Sequence, residues 1–260
     1  MGCINLKFLI TAHTDVGIKK STNQDSVLAV KASYENEEIV FTVLCDGMGG
    51  LAKGEVASAS VIEAYFRWFE KDFPQTLKTG FNKEELFKTW ENIASQMNSK
   101  IAAYGAEKSI SLGTTLVAML IYKSRYYIIN VGDSRAYKYT DRTTVLTKDH
   151  TFVQRELDSG RMTYEEAMNH PKRNVLLQCI GASSFVQPDF FDDDVRPNEV
   201  YLLCSDGFRH IITEAEMFEQ FNPARRQSAE MLRQSAVYLT DLNKYRQETD
   251  NISVIVIRSE

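Results

Sequence analysis

A chain of 260 residues with 43% hydrophobic and 25% charged residues has the make-up of an ordinary globular protein, long enough to bury a large core and too apolar to be disordered. Its net charge of −5, with no run rich in Lys or Arg, argues against nucleic acid and against a membrane surface as partner. No apolar stretch approaches the roughly 18–20 residues of a membrane span, and the start lacks a basic segment followed by a long apolar one.

Cys3, Cys45, Cys179 and Cys204 are scattered without C-x-x-C spacing, which fits free thiols in a reducing cytoplasm. Met1-Gly2-Cys3 invites acylation, but Leu6 stands where the myristoylation pattern wants Ser or Thr.

In chain order, Phe8 to Thr14 alternates weakly, and Ile39 to Cys45 is nearly continuous apolar and β-branched, the pattern of a buried strand. Helical spacing of apolar residues predicts a helix from Glu55 to about Lys71 and a second from Lys83 to Tyr104. Strands are expected at Thr114–Tyr122, Tyr126–Val131, Arg135–Tyr139 and Thr143–Leu146, joined by short polar turns that suit antiparallel pairing. Thr151 to His170 reads as two short polar helices broken at Gly160. Val200–Cys204 is a further strand, Ala224–Leu242 an amphipathic helix, and Ile252–Ile257 a last strand. Phe191-Asp192-Asp193-Asp194, between Pro188 and Pro197, reads as a solvated loop. Strands and helices come in blocks, with no linker or repeat, which favours one α+β domain over residues 1–260 with antiparallel sheets and helices outside.

Carboxylates recur where these strands end. Cys45-Asp46-Gly47, Cys204-Ser205-Asp206-Gly207, Gly132-Asp133-Ser134 and Asp250-Asn251 each place an acid at a sheet rim, where distant segments can converge. A single Asp-Gly pair most often only turns the chain. Four such rims point to oxygen ligands for Mg²⁺ or Mn²⁺, which keep several waters and need one or two carboxylates each.

Asp46-Gly47-Met48-Gly49-Gly50, with Ser205-Asp206-Gly207 and Asp250-Asn251, resembles the PPM, or type 2C, family of metal-dependent serine/threonine protein phosphatases. Asn23-Gln24-Asp25, Gly113-Thr114-Thr115, Gly132-Asp133-Ser134-Arg135, Asp149-His150-Thr151, Arg173-Asn174 and Ile180-Gly181 extend the likeness over nearly the whole chain. The resemblance implies a four-layer α-β-β-α sandwich of two antiparallel sheets, with a binuclear Mn²⁺ or Mg²⁺ site between them. It implies that Asp46 bridges both ions, Gly47 lends its carbonyl, Asp206 and Asp250 complete one shell, Asp25 holds metal-bound waters, and Asp133 helps hold a weaker third ion. Lys20 stands where relatives often place a phosphate-binding Arg. Residues 151–181 correspond to a flap beside the cleft. Phosphorylated proteins, a cognate Ser/Thr kinase or its targets are the implied partners of a cytoplasmic, monomeric, bacterial-type enzyme.

Three departures bear on mechanism: Lys20 offers a point charge and not a bidentate fork, Gln24 replaces an acid common in relatives, and Met48 stands where some have a histidine proposed as general acid. Gly47-Met48-Gly49-Gly50-Leu51-Ala52 also satisfies the dinucleotide pattern G-x-G-x-x-A, but no second strand ends in an acid about 20 positions on. Cys204 is followed by Arg209 one residue too early for a cysteine phosphatase loop. The reading from another class is a binding or regulatory relative that has lost turnover.

Overall fold

The computed structural model describes residues 6–49, 53–225 and 228–260. The acylation motif at Met1-Gly2-Cys3 and Gly50 lie outside them. The strands are β1 (Phe8–Asp15), β2 (Ser26–Tyr34), β3 (Glu37–Cys45), β4 (Gly47–Gly49), β5 (Leu112–Thr114), β6 (Leu116–Tyr122), β7 (Arg125–Val131), β8 (Arg135–Tyr139), β9 (Thr143–Val145), β10 (Asp189–Asp194), β11 (Val200–Cys204) and β12 (Ile252–Ser259). The helices are α1 (Gly54–Arg67), α2 (Phe73–Thr79), α3 (Lys83–Lys108), α4 (Phe152–Asp158), α5 (Tyr164–Met168), α6 (Asp206–Arg209), α7 (Glu214–Phe221) and α8 (Ala229–Tyr245), with a π-helical turn at Trp68–Asp72 joining α1 to α2.

Strand order is β1-β12-β11-β8-β9 in one sheet and β10-β7-β6-β3-β2 in the other, with β4-β5 a separate pair. Every pairing is antiparallel. The strands read as continuous apolar runs because both their faces are covered. On β3, Phe41, Val43 and Cys45 pack towards α1 and α3, while Val40 and Leu44 face the other sheet. On β12, Val254 and Val256 pack against α7 and α8, and Ile255 and Ile257 face inward. Period-two alternation thus supplies three cores to four layers, α-β-β-α.

The expected helices appear with small shifts. The second extends past Tyr104 to Lys108, started by Asn82, whose side chain accepts from Glu85 N at 2.9 Å, and ended by Ser109 in the left-handed region (φ 54°). The break at Gly160 holds, with φ +67° there. The last helix begins at Ala229, capped by Ser228, and not at Ala224. Two expectations fall short. β2 was not anticipated, since its alternation is blurred by a half-exposed edge position. Asp192–Asp194 belongs to β10, paired with β7, and is no loop. Phe190 and Phe191 point into different cores, while Asp192 accepts from Lys83 and Arg125. The charges protect an edge strand from pairing with other chains.

Candidate metal centre

Register explains how residues from 25 to 250 meet. Ser26 pairs with Cys45, so Asp25 and Asp46 leave one rim side by side. Cys204 pairs with both Arg135 and Val254, which brings Asp206, Asp133 and Asp250 to the neighbouring rim of the other sheet. The Gly132-Asp133-Ser134 turn carries the chain from β7 across to β8 at that end.

Backbone contacts then hold the rim still. Asp46 donates its N–H to Thr115 Oγ1 at 2.9 Å, and its carbonyl accepts from Thr115 N and Thr114 Oγ1, each at 2.9 Å. Thr115 and Ser134 share a 2.7 Å hydroxyl contact between the sheets. A methyl on Gly47 would fall on the carbonyl oxygens of Gln24 and Gly54, and one on Gly207 on the carbonyl of Asn251. Here glycine is required by close approach of backbones. Asn251 accepts from Gln24 N (2.9 Å) and donates to Val16 O (2.9 Å) and Thr22 O (3.2 Å), tying the loop that bears Lys20 to the start of β12.

The result is a concentration of negative charge. Burial, with Asp206 and Asp250 adding, pushes the Asp25 carboxyl up to about 7. Burial, then Asp206, does the same for Asp133, against the pull of Arg209. Asp46 is held well above the usual carboxylate range by burial and then by Asp25, Asp206 and Asp133, and burial raises Asp206. Asp46 and Asp206 keep part of their surface open, but close packing around both still makes burial the first cause. Both Asp25 oxygens and Asp206 Oδ1 are buried without a hydrogen-bond partner. The Ser205 and Ser253 hydroxyls nearby lower Asp25 somewhat, without reaching hydrogen-bond geometry to it.

Lys20 Nζ lies 2.9 Å from Asp250 Oδ1. Burial alone would lower this ammonium, but Asp250, with Asp46 and Asp206 behind it, more than offsets that and raises it. The other counter-charge was missed from sequence. Arg209, three residues after Asp206, donates to the Asp133 carbonyl at 2.7 Å and approaches Asp149 at 3.4 Å, while Arg135 forks onto the two Asp149 oxygens at 2.8 Å each. The spacing of Arg209 one turn past an acid was visible; its partners were not. Gln24, read with its amide satisfied at both ends, donates to Gly47 O at 3.3 Å and accepts from Gly54 N at 3.1 Å, so it props the backbone beside Asp46. His150 is a structural pin: its Nδ1 accepts from Gly132 N and Gln178 Nε2, and its Nε2 faces Asp189 at 3.1 Å.

Among the described residues, no three His, Cys, Asp or Glu side chains form a complete cage for one ion. Asp250 is turned to Lys20. The donor set nevertheless fits Mg²⁺ or Mn²⁺, hard cations that take few carboxylates and many waters, and the unpartnered oxygens of Asp25 and Asp206 are the groups a cation or its waters would satisfy. A proton count tests this. Unfolded aspartates titrate near 3.9, whereas Asp25 and Asp133 do so at about 7 in the fold. The stability these protons confer is present below about pH 4 and lost as pH rises to about 7. Ions that take the carboxylates must release the protons. Calorimetric Mn²⁺ titration at about pH 6, in two buffers of different ionisation enthalpy, should show proton release that fades above about pH 8. Equal heats in both buffers at pH 6 would rule it out.

The family model for Protein phosphatase 2C matches residues 14–245. Serine/threonine phosphatase stp of Listeria welshimeri is 35% identical over 250 residues, covering 94% of this chain and 93% of that one. The solved structure of the S. agalactiae serine/threonine phosphatase superposes with TM-score 0.84 at 26% identity, over 98% of this chain and 100% of that one. The catalytic domain of serine threonine protein phosphatase PstP, solved in complex with 2 manganese ions, gives TM-score 0.78 at 30% identity, over 98% and 99% of the two chains.

Proposed function

Because the chain belongs to the protein phosphatase 2C family, we propose that it is a Mn²⁺- or Mg²⁺-dependent phosphatase that hydrolyses phosphoserine and phosphothreonine in proteins, opposing a Ser/Thr kinase. The observation that carries this is the crowded acidic rim, with Asp25 and Asp206 oxygens buried and unpartnered beside Asp46. Asp46, the Gly47 carbonyl, Asp206 and Asp250 would hold the ions. Asp25 would order water, and Asp133 with Asp206 would offer a weaker third place. Bound there, the cations supply Lewis acidity and a water acidic enough to attack phosphorus near neutral pH.

The chain's own residues do the rest. The Thr114 and Thr115 bonds to the Asp46 backbone fix its direction, and the Gln24 amide holds the Gly47 peptide in place. Arg209, 4.0 Å from the Asp133 carboxylate, offsets charge on Asp133 and Asp206. Lys20, half-exposed at the rim, supplies a positive charge within reach of a phosphoryl group as well as of Asp250. Met48 has no proton to give, so the leaving alkoxide must be protonated by solvent or another group.

Purified protein should release phosphate from p-nitrophenyl phosphate and from a phosphothreonine peptide with Mn²⁺, and should stop when a chelator is added. Bound Mn²⁺ without release would instead indicate a phosphoprotein-binding relative that no longer turns over.

A further inference from the structure

A cleft of about 770 Å³ opens beside the metal centre, within the ~300–1,000 Å³ range of ligand-binding clefts. It is lined by Met48, the residue after Gly47, by Leu176 and Leu177 of the flap, and by Phe185 just beyond the flap. Phe185 is 72% and Leu177 43% exposed, although large apolar side chains ordinarily shed that much water contact. The polar groups along it already have partners: Lys148 with Asp158 at 2.6 Å, Asp149 with Arg135 at 2.8 Å, His150 with Asp189 at 3.1 Å, and Arg155 with Glu156 at 3.1 Å. A charged guest finds no unpaired counter-charge among these groups. A neutral apolar guest needs none.

The flap is also held in place. It bridges to the body at Thr114–Ile180 and to itself at Thr151–Leu176, Asn98 Oδ1 accepts from Gly181 N at 2.7 Å, and Gln178 binds both His150 and the Gln187 carbonyl. Leu177 and Phe185 are therefore presented by a fixed frame, which favours selection over general stickiness.

We propose that this cleft receives the substrate residues flanking the phosphorylated one and selects a large apolar side chain there. The inference rests on the phosphatase reading above and adds a sequence preference to it. A peptide whose phosphoryl group sits at the aspartate rim runs past Met48 into the cleft, where Leu or Phe covers Leu177 and Phe185.

Two families of fluorescent phosphothreonine peptides, identical except for Leu or Phe against Ser or Asp at each flanking position, test this with Mn²⁺-loaded protein. Apolar-flanked peptides should bind and turn over about tenfold better at one or more of these positions, the scale on which apolar pockets discriminate. The doubly substituted Leu177→Ser, Phe185→Ser protein, changed only at exposed side chains, should lose that preference and keep its p-nitrophenyl phosphate rate. Equal binding of both families, or a preference that survives the double substitution, overturns the proposal. Anisotropy reads the preference with or without turnover, so absent p-nitrophenyl phosphate hydrolysis would count only against the phosphatase reading.

Discussion

Asp206→Asn, and equally Asp46→Asn, is expected to cut Mn²⁺-dependent phosphate release by roughly a thousandfold, the scale on which losing a preorganised charge-stabilising group acts. The same substitutions should raise the melting temperature of the metal-free protein. Each removes a carboxyl group from a buried crowd in which burial raises Asp25, Asp46, Asp133 and Asp206, the Asp206 charge adds to the rise of the other three, and Asp25 adds to that of Asp46. Each ~1 kcal/mol of repulsion relieved is worth about 2–4 °C in a chain of this size. The opposite signs separate a site residue from a structural one. A thermal melt with chelator beside an activity assay with Mn²⁺ measures both. Unchanged turnover would remove the residue from the site, and a lower melting temperature would make its carboxylate part of the scaffold.

Gly47→Ala should be nearly as damaging for a different reason. The added methyl meets backbone oxygens of Gln24 and Gly54, neither of which can swing aside as a side chain would. Overpacking of this kind costs about 1–3 kcal/mol or more, and relief requires moving the peptide between Asp46 and Met48. Gly49→Ala, two residues along the same strand, meets Gly54 N at 3.3 Å and should cost much less. Denaturant unfolding and Mn²⁺ affinity of both variants would show whether the Gly47 carbonyl belongs to the site: loss of stability without loss of affinity would say that it does not.

Much of this was legible because the central strands are buried on both faces and so announce themselves as apolar runs, several with an acid at the rim. Asp46, Asp206 and Asp250 could be named from that pattern and the family likeness. β2 and β10 could not be placed so well, since edge strands carry charge and half-exposed positions that blur alternation. Arg209, Asn251 and Gln24 were harder still. Their work consists of contacts over 30 to more than 200 residues of chain, such as Asn251 with Gln24 N and Arg209 with the Asp133 carbonyl, and no local spacing encodes those.

β12 is the last strand in the chain, yet it lies between β1 and β11 and is buried along its whole length. During synthesis, β1 and β11 therefore emerge with no neighbour between them, two open edges awaiting a strand still inside the ribosome. Folding of that sheet must wait for β12, an interval in which unpaired edges are exposed to aggregation.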